Sequence, residues 1–146
     1  MNMERVQSVC FEFKVISNLI RREIDNSANK QYLDSLTGTN GWVIGYLIRN
    51  DGKDIFQRDL EAEFSIRRST ASSILKRMEK NGLIRREPVD YDARLKRLLL
   101  TEKSFEVHSL IMDDITTVEK KLVRGLTEAE LSAFFETADK LKRNLE

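Results

Sequence analysis

Residues 65–80 read SIRRSTASSILKRMEK: four short hydroxyl side chains, Ser69, Thr70, Ser72 and Ser73, follow Arg67 and Arg68 and precede Lys76 and Arg77. Hydroxyls of this kind donate and accept hydrogen bonds, and Arg and Lys donate to anionic oxygen. The chemistry open to such a set is recognition of a polyanion, not bond making. The charge distribution points the same way. Residues 65–97 hold ten basic and four acidic residues, a net of +6, whereas the rest of the chain carries −5. Positive charge gathered in one segment of an otherwise acidic chain is the footprint of a polyanion site. A solvated charged face has the same composition, so charge alone leaves both readings open.

Little else in the chain suits a catalyst. Cys10 is the only cysteine and His108 the only histidine, so no intrachain disulfide forms and no zinc site of the usual ligand types is expected. The six glycines make neither a GxGxxG nor a GxxxxGK pattern, and no nucleophile elbow is present. The expectation is a protein that is not an enzyme and has no cofactor and no metal. No stretch has the apolar length of a membrane span, and the start, MNMERVQSVCFEF, lacks the apolar core of a signal peptide, so the default reading is a cytoplasmic protein with no membrane partner.

Apolar periodicity supplies the elements that would carry the hydroxyl–cation set. Residues 5–34 read as one long helix with a stripe through Val6, Val9, Cys10, Phe13, Ile16, Ile20 and Ile24. TGTNG at 37–41 breaks the pattern, with Thr39 as an N-cap. WVIGYLIRN at 42–50 is apolar nearly all round and reads as a short buried helix, followed by a turn at 50–54. Ile55 and Phe56 could form a very short strand. Residues 57–64 read as a short helix, SIRR as a connection, and 68–80 as the next helix, stopped by Asn81 and Gly82. Leu83–Glu87 and Leu95–Leu100 read as short paired strands around a turn at 88–93. Thr101 caps a long helix ending near Gly125. Thr127 with Glu130 makes a capping box for a last helix. Three amphipathic helices at the two ends of one small module call for a symmetric dimer in which terminal helices bury each other.

At about 100° per residue, the helix at 68–80 can turn Ala71, Ile74, Leu75 and Met78 inward. Ser69, Ser73, Lys76 and Lys80 then point outward, with Thr70, Ser72 and Arg77 on the flanks. A helix with slim hydroxyls in its first turns and long cations behind them can enter the DNA major groove. The helix at 57–64 and its turn complete a helix-turn-helix, and the hairpin with Arg94 near its tip forms a wing that reaches phosphates or the minor groove.

The run RRSTASSILKRMEKNGLIRREPVDYDARLKRLLLTEKS resembles the MarR (multiple antibiotic resistance regulator) family of bacterial transcription factors. The resemblance lies in LKRMEKNGLI, in Asp92-x-Arg94 and in the closing LLLTEKS, and is most specific over residues 55–104. It implies a mainly α fold with a small β-hairpin: a winged helix-turn-helix DNA-binding domain over 37–101, and a helical dimerisation region over 1–36 and 102–146. It also implies a homodimeric repressor of pseudo-palindromic operators, released by a small, often phenolic or lipophilic, ligand. The DNA-binding set is then Arg67, Arg68, Ser69, Thr70, Ser72, Ser73, Lys76, Arg77, Arg94 and Lys96, with Arg94 in the minor groove and Asp92 steadying the wing. The family often has glycine where Ser104 stands, a departure expected to alter the start of the long helix.

Effector sites in the family lie between the dimerisation helices and the DNA-binding domain, which makes Phe11, Phe13, Trp42 and Tyr46 candidate liners beside their ordinary role as core aromatics. Cys10 is reminiscent of the peroxide-sensing branch, but no tyrosine partners stand near it in sequence, so a buried, inert cysteine is the expectation. His108 alone is expected to be solvent-facing or structural. The competing reading is a helical dimerisation protein whose basic segment binds an acidic protein partner.

Overall fold

Short polar side chains cap the first helix and the last two. The computed structural model describes residues 8–38 and 40–146; Val6 of the expected first stripe and the expected N-cap Thr39 lie outside them. Helix α1 (Val9–Asp25) starts where the Ser8 hydroxyl accepts from the Phe11 N–H at 3.4 Å. Residues 5–34 are not one helix. The chain leaves α1 at Asn26 and re-enters as α2 (Lys30–Thr37). The Ser27 hydroxyl accepts from the Asn29 N–H at 3.2 Å and donates to Asp114 at 2.6 Å. Asn and Ser side chains that bond nearby backbone compete with the helical ladder, and here the distant carboxylate holds the break in place.

Helices α3 (Trp42–Arg49) and α4 (Gln57–Glu63) follow as the apolar runs anticipate, and Val43, Ile44 and Leu47 of α3 are buried. Ile55 and Phe56 do not form a strand, although the Ile55 carbonyl accepts the Leu98 N–H at 2.8 Å. Helix α5 (Arg68–Lys80) buries Ala71, Ile74, Leu75 and Met78, the four positions the helical spacing turns inward. Strands β1 (Ile84–Val89) and β2 (Asp92–Leu100) make an antiparallel hairpin running from Ile84 opposite Leu100 to Val89 opposite Asp92. Its turn is tighter than expected, because both strands extend into the 88–93 stretch. The register slips between Pro88 and Val89, so Ala93, Arg94 and Leu95 lie across an irregularity that re-aims their side chains.

Helix α6 (Glu102–Leu122) is capped by Thr101 and α7 (Glu128–Leu145) by the Thr127–Glu130 box. Ser104 completes the α6 cap: its buried hydroxyl accepts from the Thr101 N–H at 3.0 Å. The core gathers Leu33 of α2, Val43, Ile44 and Leu47 of α3, Leu60 of α4, Ile74, Leu75 and Met78 of α5, Leu83, Ile84 and Leu98 around the hairpin, and Val107 of α6. Thus α2 runs across residue 36 and joins the helix-turn-helix core.

The ends of the chain contribute almost nothing to that core. Among the described residues α1 and α7 bury no side chain. Phe11, Phe13, Leu19, Phe134 and Phe135 are each about half exposed. Cys10, expected to be buried, is exposed on α1 of the single chain.

Candidate nucleic-acid interface

The α4–turn–α5 unit is built locally. Asp59 reaches back to the Phe56 N–H at 2.8 Å and fixes the start of α4. Phe64 closes α4 against Trp42 and Tyr46, with ring centroids 4.0 and 5.6 Å away. Ser65 turns the chain with φ of 49°, the only non-glycine residue with positive φ among those described. The Ile66 N–H returns to the Glu61 carbonyl at 3.1 Å, and Gln57 Nε2 donates to the Arg68 carbonyl at 3.3 Å. These bonds hold the first turn of α5 against α4.

The outer surface of α5 carries Arg67, Arg68, Ser69, Thr70, Ser73 and Lys76, all exposed, with Ser72 half-buried beside them. Arg67 stands at the N-cap without a side-chain capping bond. The start of a helix is electropositive in itself, and two cations, Arg67 and Arg68, reinforce it. Among the described residues no carboxylate lies within ion-pair distance of Arg67, Arg68, Lys76, Lys80, Arg85 or Lys96. Arg77 is exposed as well, and its guanidinium turns back and donates to the Asp34 carbonyl of α2 at 3.3 Å.

The wing is organised by carboxylates. Asp92 accepts from the Arg94 backbone N–H at 2.9 Å and from Nε and Nη2 of its guanidinium at 3.1 and 3.0 Å. The side-chain bond from Arg94, then the backbone one, holds the Asp92 carboxyl below the usual carboxylate range. The Arg94 side chain remains 90% exposed, so the clamp orients it without burying it. Farther back, Arg97 bridges Asp54 and Glu87 at 3.3 Å each, and the Tyr91 hydroxyl donates to Asp54 at 3.1 Å. Asp54 thereby ties β2 and the turn of the wing to the loop before α4. Lys96 is exposed on β2.

The aromatic liners do not come together. A cleft of about 690 Å³ opens between α1, α2, α3 and α6, and of the four candidates only Trp42 lines it. Its walls are Ile20 and Ile24 of α1, Leu33 of α2, and Ile111 and Ile115 of α6, with Arg21, Lys30 and Asp114 among its polar groups. Tyr46 faces a different hollow beside α4 and the end of α7, and Phe11 and Phe13 stand exposed on α1. His108 is half-buried on α6 beside Gly45, and no cluster of potential metal ligands occurs among the described residues. No helix among them is long and apolar enough to cross a membrane.

A helix-turn-helix whose second helix is followed directly by a two-stranded hairpin is a winged helix-turn-helix. Residues 34–95 match the MarR family. The transcription regulator MarR from Oenococcus oeni PSU-1 is 32% identical, with 93% of this chain and 99% of that one covered and a TM-score of 0.76. A MarR family transcriptional regulator from Listeria monocytogenes, solved in complex with 26mer DNA, is 26% identical over 96% of this chain and 90% of that one, with a TM-score of 0.82. The HTH-type transcriptional regulator YybA of Bacillus subtilis (strain 168) is 26% identical over 129 residues, 88% of this chain and 85% of its own. The chain belongs to the MarR family of transcription regulators.

Two features of the interface are invisible to pattern reading. Ser65 was legible only as part of a connection, because nothing in SIRR marks a left-handed residue. Asn81 was legible only as a helix stop, although its side chain donates to the Leu36 carbonyl at 2.8 Å.

Proposed function

We propose that the protein acts as a homodimer that binds double-stranded DNA sequence-specifically, with α5 in the major groove and Arg94 of the wing in the minor groove. The observation that carries this reading is the division of α5 into two faces. Ala71, Ile74, Leu75 and Met78 are buried in the core, and the opposite face offers slim hydroxyls and cations that, among the described residues, no carboxylate neutralises. Base edges are read by the N-terminal part of such a helix, and the cations behind it take phosphates. The contact set is Arg67, Arg68, Ser69, Thr70, Ser72, Ser73, Lys76 and Lys96 with Arg94; Arg77 acts through α2. The DNA complex of the Listeria relative supports the partner.

The dimer is formed by the apolar faces that α1 and α7 leave exposed, including Phe13, Leu19, Phe134 and Phe135. Faces of this size on a soluble chain call for a partner surface, and a two-fold axis supplies an identical one. Repression is relieved when a small molecule enters the cleft beside Trp42, whose size suits a drug-sized ligand. The test is a gel-shift titration with DNA from upstream of the protein's own coding sequence against a scrambled duplex, across a salt series. Selective, salt-sensitive binding is expected. Equal binding to both duplexes at every salt concentration would overturn the reading.

A further inference from the structure

Asn81 is the residue at which three helices meet. Its backbone takes φ −86° and ψ 5°, which any residue adopts, and the left-handed step that ends α5 falls on Gly82 with φ of 74°. The backbone therefore gives no reason for an asparagine. The side chain does. Its Nδ2 donates to the Leu36 carbonyl at 2.8 Å and to the Ser35 carbonyl at 3.4 Å. Both carbonyls belong to the last turn of α2, and the Arg77 guanidinium one turn earlier on α5 donates at 3.3 Å to the Asp34 carbonyl, which also accepts the Gly38 N–H at 2.8 Å. The carbonyl of Asn81 meanwhile accepts from Lys103 of α6 at 2.9 Å, and that of Gly82 from Thr101 at 2.6 Å.

We propose that Asn81 is a positioning residue that sets the half-site spacing the dimer reads, by locking the C-terminal end of α5 to α2 with its side chain while its carbonyl is held by α6. The proposal rests on the DNA-binding dimer proposed above. An asparagine side chain has few rotatable bonds, so its bonds to two successive carbonyls fix the angle between α5 and α2 closely. Helix α6 leads to the apolar faces assigned to the dimer, so the direction of α5 relative to α6 sets the separation of the two recognition helices. That separation is what an operator measures. Helix α2 also lines the cleft with Lys30, Leu33, Asp34 and Thr37. Movement of α2 by an occupant of the cleft would reach α5 through the same amide. Asn81 is not assigned any DNA contact.

The test uses the full chain, wild type and Asn81→Ala, with Asn81→Asp as a same-size variant that lacks the amide donors. A random duplex library first yields the wild-type half-site and spacing. Duplexes with that half-site pair shifted by single base pairs then measure spacing discrimination. Both variants are expected to keep the half-site sequence and the salt slope, and to lose about 5-fold or more of their discrimination between spacings. If Asn81→Ala does not fold, Asn81→Asp alone decides. Wild-type spacing discrimination in the folded variants, whatever their affinity, overturns the proposal. So does a reduced salt slope, which would make Asn81 a phosphate contact. Failure of the wild-type protein to enrich any paired half-site would instead remove the functional reading, and the proposal with it.

Discussion

Arg94 leaves the wing with its guanidinium gripped by Asp92, two residues earlier, through Nε to Oδ1 at 3.1 Å and Nη2 to Oδ2 at 3.0 Å. A two-point grip on a planar fork removes rotamer freedom that DNA binding would otherwise have to freeze. Arg94→Ala is therefore expected to weaken operator binding about 5- to 150-fold without changing the oligomeric state. Asp92→Ala should give a smaller loss in the same direction, since the cation survives but its direction does not. Titrations of both variants at matched salt check this; an Asp92→Ala loss larger than that of Arg94→Ala would contradict it.

The same pair predicts a pH dependence. The folded Asp92 carboxyl sits below its ordinary range, first because of the side-chain bond from Arg94. A depressed carboxyl keeps its ion pair at and above the ordinary range and loses it only as pH falls through the lowered value. The penalty for Arg94→Ala should thus be constant between about pH 5 and 8. A penalty that shrinks toward the acid end would show that the clamp titrates there.

Lys76 and Arg77 are neighbours with different work. Lys76 is exposed on α5 without an acidic partner among the described residues, so Lys76→Ala should lower affinity for all DNA sequences and reduce the salt slope by about one. Arg77 is spent on the Asp34 carbonyl and lies against Gly38, where an added Cβ would come within 2.9 Å of its guanidinium. Arg77→Ala should lower the urea midpoint and leave the slope unchanged. A fall of about one in the slope for Arg77→Ala would return it to the phosphate-contact set.

Ser65 holds a left-handed conformation that costs a residue bearing a Cβ about 1–2 kcal/mol. Glycine relieves that strain but loses more entropy on folding, so Ser65→Gly should gain about 0.5–1 kcal/mol. Urea unfolding at matched protein concentration measures it. A loss of stability would mean that the hydroxyl contributes more than the strain costs.

The recognition helix was legible because its burial is local and periodic: Ala71, Ile74, Leu75 and Met78 need only the 3.6-residue repeat, and all four are buried. The caps at Thr101 and Thr127 were legible for the same reason, since both partners lie within three residues. The parts that were not legible depend on distant partners. The break at Asn26–Asn29 is held by Asp114, far along the chain, and the helix expected over 5–34 runs straight through it. Arg77 looked like its basic neighbours until α2 was in place to accept from it. Phe13 shares the stripe of Ile20 and Ile24, which do line the cleft, but the cleft takes only the last turns of α1, so Phe13 stands outside it, and Phe11 lies on another side of the helix.

The central claim is that the α5 surface and the wing read DNA sequence. It is tested most directly by competition: labelled DNA carrying the selected half-site pair, held by the full-length protein, is challenged with scrambled duplex at two salt concentrations. Scrambled DNA is expected to compete about a thousandfold less well, and raising salt to weaken both duplexes together. Scrambled duplex that competes as well as the selected one, at either salt concentration, would contradict it.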